Sequence, residues 1–349
     1  MDVFPIGKLP SDILASLLEK HATSDPRVIL GPGIGLDCAV IEFEDQTLVV
    51  KSDPITFTAD QIGWYAVHVN ANDVATTGAR PRWFFATLLL PESRSDKTLV
   101  ADIFQQIDEA CQTLGASLVG GHTEITAGIP RPILAGTMLG EIQRSQLITP
   151  QGARPGDRLL LTKGIPIEAT SILARDFASH LEDLDVEILN RARNFLHHPG
   201  ISIVPEALAA AEVGGVTAMH DPTEGGLASG VWELVEAASV GILLDFEAIL
   251  IPKESREVCE AMQINPIEAI ASGALLLTVT PEAIQTVRQK IESIGVMVSE
   301  IGQVTEDIGV AMRKAGEIVP LHRPARDAIA SLFEEDDHRS RPRHSSTRN

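Results

Sequence analysis

Three aspartates and two glycine-rich stretches carry the residue types that phosphate chemistry requires. Asp37 closes the loop GPGIGLD (31–37), whose glycines, Gly33 and Gly35 among them, let a backbone approach a ligand closely. Asp53 ends the run TLVVKSD, and Pro54 stops the strand there. Asp73 lies in HVNANDVATTGARPRW (68–83). Carboxylates from a loop, a strand end and a helix form the hard-oxygen set that takes Mg²⁺ against substrate phosphates, although aspartates at strand ends also simply make turns. In LVGGHTEITAG (118–128), a short strand runs into a tight exposed turn at Gly120 and Gly121 that presents His122, Thr123 and Glu124. His122 is open to three roles there: ligand, acid or base, or hydrogen-bonded loop residue. HDPTEGGLASGVWELVEAA (220–238) passes from a strand through Asp221 into a helix at Gly225 and Gly226. Such a helix start offers unpaired N–H groups to an anion, and it serves equally as a capping turn. HHPG (197–200) reads as a turn, and Arg80 with Arg82 as a solvated edge within reach of a phosphate.

The elements that must position these residues alternate along the chain. CAVIEF (38–43) and TLVVKS (47–52) read as a hairpin, and the second run, apolar on both faces, as an edge strand that must be covered. A helix is expected over 59–77, with Gly78 just past its end and Pro81 beyond. On it Trp64, Val67, Ala71 and Val74 form one stripe, and Asn70, Asp73 and Thr77 another. One stripe packs, so the other must face something polar. A buried carboxylate needs a donor, a cation or a metal, which leaves Asp73 either a capped or salt-bridged acid or a ligand. A strand at 83–90, a helix from Ser95 stopped by Gly115, and strands at 116–119 and 132–141 complete a first unit. ITPQGARPGD (148–157) marks the boundary, giving domains over 1–150 and 151–333. The second holds strands near 158–162, 215–219, 241–246, 274–280 and 295–302 and helices near 202–212, 225–239, 281–293 and 324–333. The acidic and then Arg/Ser/His-rich tail, 334–349, reads as disordered.

Composition narrows the function classes. With 349 residues, a prior of roughly 100–200 residues per domain gives two domains. The formal charge of -20 and pI near 4.8 exclude a nucleic-acid partner, which needs clustered Lys and Arg. Cys38, Cys111 and Cys259 form neither a disulfide framework nor a zinc spacing. No stretch reaches membrane-span length, and MDVFPIGKLP lacks the basic and apolar regions of a leader. A cytoplasmic protein is expected.

GKLP, GPGIGLDCAVI, the strand ending in Asp53, NANDVATTGARPRW, LVGGHTEIT and HDPTEGGLASGVWELVEAA stand in the order of the aminoimidazole ribonucleotide synthetase (PurM-like) superfamily, which the chain resembles over about residues 6 to 333. Its members include thiamine-monophosphate kinase, selenophosphate synthetase and the HypE-type hydrogenase maturation factor, and the pairing of ANDVA..GA.P with DPT.GGLA is most similar to the HypE-like branch. The resemblance implies two α+β domains, a homodimer joined through the N-terminal sheets, and ATP with Mg²⁺ in a cleft, phosphorylating an oxygen, commonly of an amide. It lends Mg²⁺–phosphate roles to Asp37, Asp53 and Asp73, nucleotide-site roles to Gly33, Gly35, Asn70 and Gly120–Thr123, catalytic roles to Asp73, His122 and Glu124, and a phosphate or substrate role to Asp221, Gly225 and Gly226. Three departures stand out. Leu36 occupies the place of a second acid, and His122 that of an Asp or Glu. The HypE tail cysteine has no counterpart, since the last cysteine is Cys259 and the chain ends SSTRN. The expectation is an ATP- and Mg²⁺-dependent enzyme with an unknown small-molecule or amide acceptor. The alternatives are a HypE-like maturation factor, a small-molecule kinase and a non-catalytic nucleotide-binding regulator.

Overall fold

The computed structural model describes residues 9, 11–20, 25–33, 36–56, 58–92 and 94–333. Gly35 and the tail 334–349 lie outside the described residues. The first unit runs α1 (Ser11–Lys20), β1 (Val28–Leu30), β2 (Ala39–Phe43), β3 (Gln46–Ile55), α2 (Ile62–Thr76), β4 (Arg80–Pro91), α3 (Lys97–Leu114), β5 (Ser117–Thr126) and β6 (Ile133–Ile142). The second runs β7 (Arg158–Thr162), α4 (Ile167–Asp176), α5 (Val186–Arg193), α6 (Val204–Val213), β8 (Val216–His220), α7 (Gly226–Ala238), β9 (Gly241–Asp245), α8 (Lys253–Ala261), β10 (Leu276–Val279), α9 (Ile284–Glu292), β11 (Val298–Thr305), β12 (Gly309–Lys314) and β13 (Glu317–Pro320). Two sheets result, ordered β1-β2-β3-β6-β4-β5 and β13-β12-β9-β11-β7-β10-β8. All pairings are antiparallel except β4 with β5 and β9 with β12. The fold is the expected two-domain α+β arrangement. Among the described residues no helix is long and apolar enough to cross a membrane.

Three expectations are corrected. The strand at 47–52 is no edge: β3 bonds to β2 on one side and along its whole length to β6 on the other. The edge falls instead on β5, which continues through Gly120 and Gly121 to Thr126 where a turn was expected. Parallel pairing with β4 overrides the turn preference of the paired glycines. A Cβ at Gly121 would sit 1.9 Å from the Ala86 carbonyl oxygen, so the glycine serves close strand contact. Toward the C-terminus, residues 324–329 are coil, bends and a turn, and helix starts only at Ala330. Helices α4, α5 and α8, each ten residues or shorter, went unread because so few turns give little periodic signal.

Helix α2 is the centre of the molecule. Of its residues only Trp64 is not buried, so the two-stripe reading gives way to a helix packed on all sides. Gly136 and Gly140 of β6 make this approach close: a Cβ would meet Asn70 Nδ2 at 2.6 Å and Val74 Cγ1 at 2.4 Å, respectively. One apolar cluster runs without a break from α2 and the first sheet to α6 and the β8 and β10 strands of the second. Asn72 joins the halves. Its Nδ2 donates to the Ile201 carbonyl at 2.8 Å and to Asp221 Oδ2 at 3.0 Å, and its Oδ1 accepts the Ile203 N–H at 2.9 Å. Removing the amide strands buried partners on the second unit. Asn72→Ala is therefore expected to lower the unfolding free energy by about 3 kcal/mol, read from the midpoint of urea denaturation; an unchanged midpoint would remove Asn72 from this role.

Candidate functional site

Four elements converge where the two units meet. The strand period places Thr47, Val49, Lys51 and Asp53 on the face of β3 that turns toward α2, and Thr47 and Val49 are buried there. Lys51 Nζ then lies 2.7 Å from Asp73 Oδ2 and 3.0 Å from Asp53 Oδ2. Burial alone would lower the Lys51 ammonium, but the charges of Asp73, Asp53 and Asp37 outweigh it and hold it well above the usual lysine range. Asp73 thus has a salt bridge as its partner. Asn70 clamps the Asp53 backbone: the Asp53 N–H donates to Oδ1 at 2.8 Å, and Nδ2 donates to the Asp53 carbonyl at 3.2 Å. Asn70 is a positioning residue here, aiming the strand end that carries Asp53.

Asp37, past the β-bridge between Gly33 and Leu36, reaches across to the second unit, where His220 Nδ1 lies 3.0 Å from its Oδ2. His220 Nε2 meets Glu233 at 2.9 Å, and Arg323 in turn pairs with Glu233 and Glu236. Burial would lower His220, but Asp37 and Glu233 hold the imidazolium well above the usual range. Asp221 and Glu168 are buried carboxyls pushed up to about 7 by burial. Asn72 is the strongest opposing influence on Asp221, and Ser272 on Glu168. Asp221 Oδ1 and Glu168 Oε2 have no hydrogen-bond partner. Because these folded-state values lie above the unfolded ones, both groups favour folding less as pH rises from about 4 toward 7.

The remaining candidates sit elsewhere. His122 and Glu124 are paired at 3.0 Å on exposed β5, with Thr126 donating to Glu124 at 2.7 Å. Gly120, Gly121 and Thr123 share that strand. Two strands, β6 and β4, separate β5 from β3, which sets the sheet distance at about 14 Å; within one chain His122 and Glu124 stand apart from the aspartate cluster. At the start of α7 the expected free anion site is partly filled from inside: the Gly225 N–H donates to Asp327 Oδ2 at 2.6 Å. Gly226 has φ +60°, and a Cβ there would meet the Ala269 carbonyl oxygen at 2.5 Å, so this glycine is needed for the turn and its packing.

Sequence reasoning missed Lys51, His220 and Glu168. Lys51 was legible, because period-2 spacing puts it on the face of Val49 and Asp53. His220 and Glu168 carried no local signal, since their partners lie in other elements. Among the described residues no cluster of three or more His, Cys, Asp or Glu side chains stands in metal-holding geometry. The donor chemistry nonetheless suits a hard cation. Two carboxylates share one ammonium, and Asp53, with 41% side-chain exposure against 3% for Asp73, has an oxygen surface open to solvent.

The Lys51 bridge carries a measurable consequence. Lys51→Met leaves Asp73 buried without its counter-charge and should destabilise the fold by about 3–5 kcal/mol. Lys51→Met combined with Asp73→Asn should recover much of that loss in thermal and urea unfolding. Additive losses would show that the two side chains are not coupled.

Residues 35–142 match the N-terminal domain, and residues 154–314 the C-terminal domain, of AIR synthase related proteins. A putative hydrogenase expression/formation protein of Methanocaldococcus jannaschii is 26% identical over 289 residues, spanning 79% of this chain and 81% of its own. Thiamine-monophosphate kinase of Pyrococcus horikoshii is 27% identical over 304 residues, spanning 82% and 88%. Among solved structures, hydrogenase maturation protein HypE in complex with ATP superposes with a TM-score of 0.70 over 93% of this chain and 98% of that one, at 21% identity, which speaks for the fold. Matched in both halves, the chain belongs to the AIR synthase related family.

Proposed function

We propose that this protein is an ATP- and Mg²⁺-dependent enzyme that transfers a phosphoryl group to an oxygen of a small-molecule or amide acceptor. The carrying observation is the aspartate cluster gathered on Lys51 at the junction of the two units, beside a pocket that Asp53 lines. Similarity to a thiamine-monophosphate kinase and to a HypE solved with ATP supports the reading. Asp53 and Asp37, the two acids with accessible side chains, would hold Mg²⁺, which supplies positive charge against phosphate oxygens. Asp73 and Lys51 stand behind them and fix the charge balance of the strand end. Asn70 holds the Asp53 backbone, and His220 holds Asp37, so the acids meet their ligand already oriented. Asp221, buried in the second unit, is kept in register by Asn72 and is assigned with Gly225 and Gly226 to the acceptor side.

The nucleotide-site and catalytic roles of Gly120–Thr123, His122 and Glu124 require a second copy. β5 is an open edge, and together with β4 it exposes Trp83, Phe85, Leu118, Val119 and Ile125, a patch that a monomer has reason to cover. Pairing of β5 with its symmetry mate gives a homodimer and carries these residues toward the neighbouring subunit. The domain boundary near residue 150 fits this plan.

Asp53→Asn should leave the melting temperature within about 2 °C of the parent and weaken Mg²⁺-dependent binding of a non-hydrolysable ATP analogue by about tenfold or more in calorimetry. Unchanged affinity would overturn the metal role. Sedimentation at micromolar concentration should show a dimer, and Ile125→Asp a monomer; a monomeric parent protein would remove the shared site.

A further inference from the structure

The pocket beside Asp53 has walls from both units. Asp53, Thr56 and Val69 come from the first, and Glu168, Thr223, Glu224, Ile270 and Ser272 from the second. Its volume is about 80 Å³, room for a handful of water-sized groups and too little for a nucleotide. Its polar surface is one-sided: three carboxylates and several hydroxyls, with no Lys, Arg or His among the described lining residues.

We infer that this pocket binds a small uncharged or cationic ligand that carries N–H or O–H donors, and that it rejects anions. Glu168 is the residue that selects. It is 5% exposed, and its Oε2 is a buried acceptor with no hydrogen-bond partner, which costs free energy unless a ligand donor meets it. Ser272, on the same wall, is the group that most favours the ionised form of Glu168. A carboxylate or phosphate ligand would bring a further negative charge against Glu168, on which the charges of Asp327 and Glu224 already weigh, whereas an amide, alcohol or ammonium supplies donors of the right sign. The idea rests on the phosphoryl-transfer reading only for what happens to the ligand; its binding selectivity stands apart.

Three probes of nearly equal size separate the cases: ethanolamine, glycolamide and glycolate, which are cationic, neutral and anionic at neutral pH. Saturation-transfer NMR on the full chain should show ethanolamine and glycolamide in contact with the protein and glycolate about tenfold weaker or absent. Glu168→Gln is near-isosteric and removes a buried charge, so it should fold. It should cut the preference for ethanolamine over glycolate about tenfold, and Ile172→Trp, which fills the pocket, should abolish contact with all three. Equal binding of glycolate, no contact by any probe, or an unchanged preference in Glu168→Gln would each overturn the inference. Calorimetry with the ATP analogue on the same samples keeps the two readings distinct: failure there removes phosphoryl transfer and leaves the pocket's selectivity to the NMR result.

Discussion

On a helix without a solvent face, a polar group is costly unless it finds a partner inside the protein. Helix α2 is in that position, and much of the molecule is arranged around its three polar side chains in the NAND segment. Asn70 takes the Asp53 backbone, Asn72 takes the Ile201–Ile203 segment and Asp221, and Asp73 takes Lys51. Each choice ties one more element to the helix. The first fixes a strand end, the second fixes the opposite unit, and the third sets the charge at their junction.

The electrostatics of that junction follow from the same packing. Asp53 and Asp73 share a single ammonium, that of Lys51, and His220 supplies a second positive charge against Asp37. Acids still outnumber bases. The surplus lies on the side where Asp53 meets solvent, which is where a cation and its phosphates would be drawn. Two further buried carboxyls, Asp221 and Glu168, each keep an oxygen without a protein partner. Unsatisfied groups of this kind reduce stability, and their concentration between the units fits a site that stability alone did not shape.

Much of this was legible in the sequence. Strands β2 to β11, helices α2, α3, α6, α7 and α9, Asp37, Asp53 and Asp73 as a related set, and the need of Asp73 for a partner followed from spacing and hydropathy, because those are local properties of the chain. Lys51 could have been read as well, one pleat from Asp53 on the same face of its strand. What only the tertiary structure decided was the choice of partners. The Asn72–Asp221 bond joins residues 149 apart, and the Gly225–Asp327 bond residues 102 apart; no local pattern encodes such a pairing. The glycine pair at 120–121 became strand because pairing with β4 outweighed local turn preference, and 47–52 lost its place as an edge because β6 returned beside it. Propensity and period act over a few residues, whereas the energy of a buried charge depends on every group folded against it. The sequence therefore specified which side chains could do chemistry, and the fold decided which of them meet.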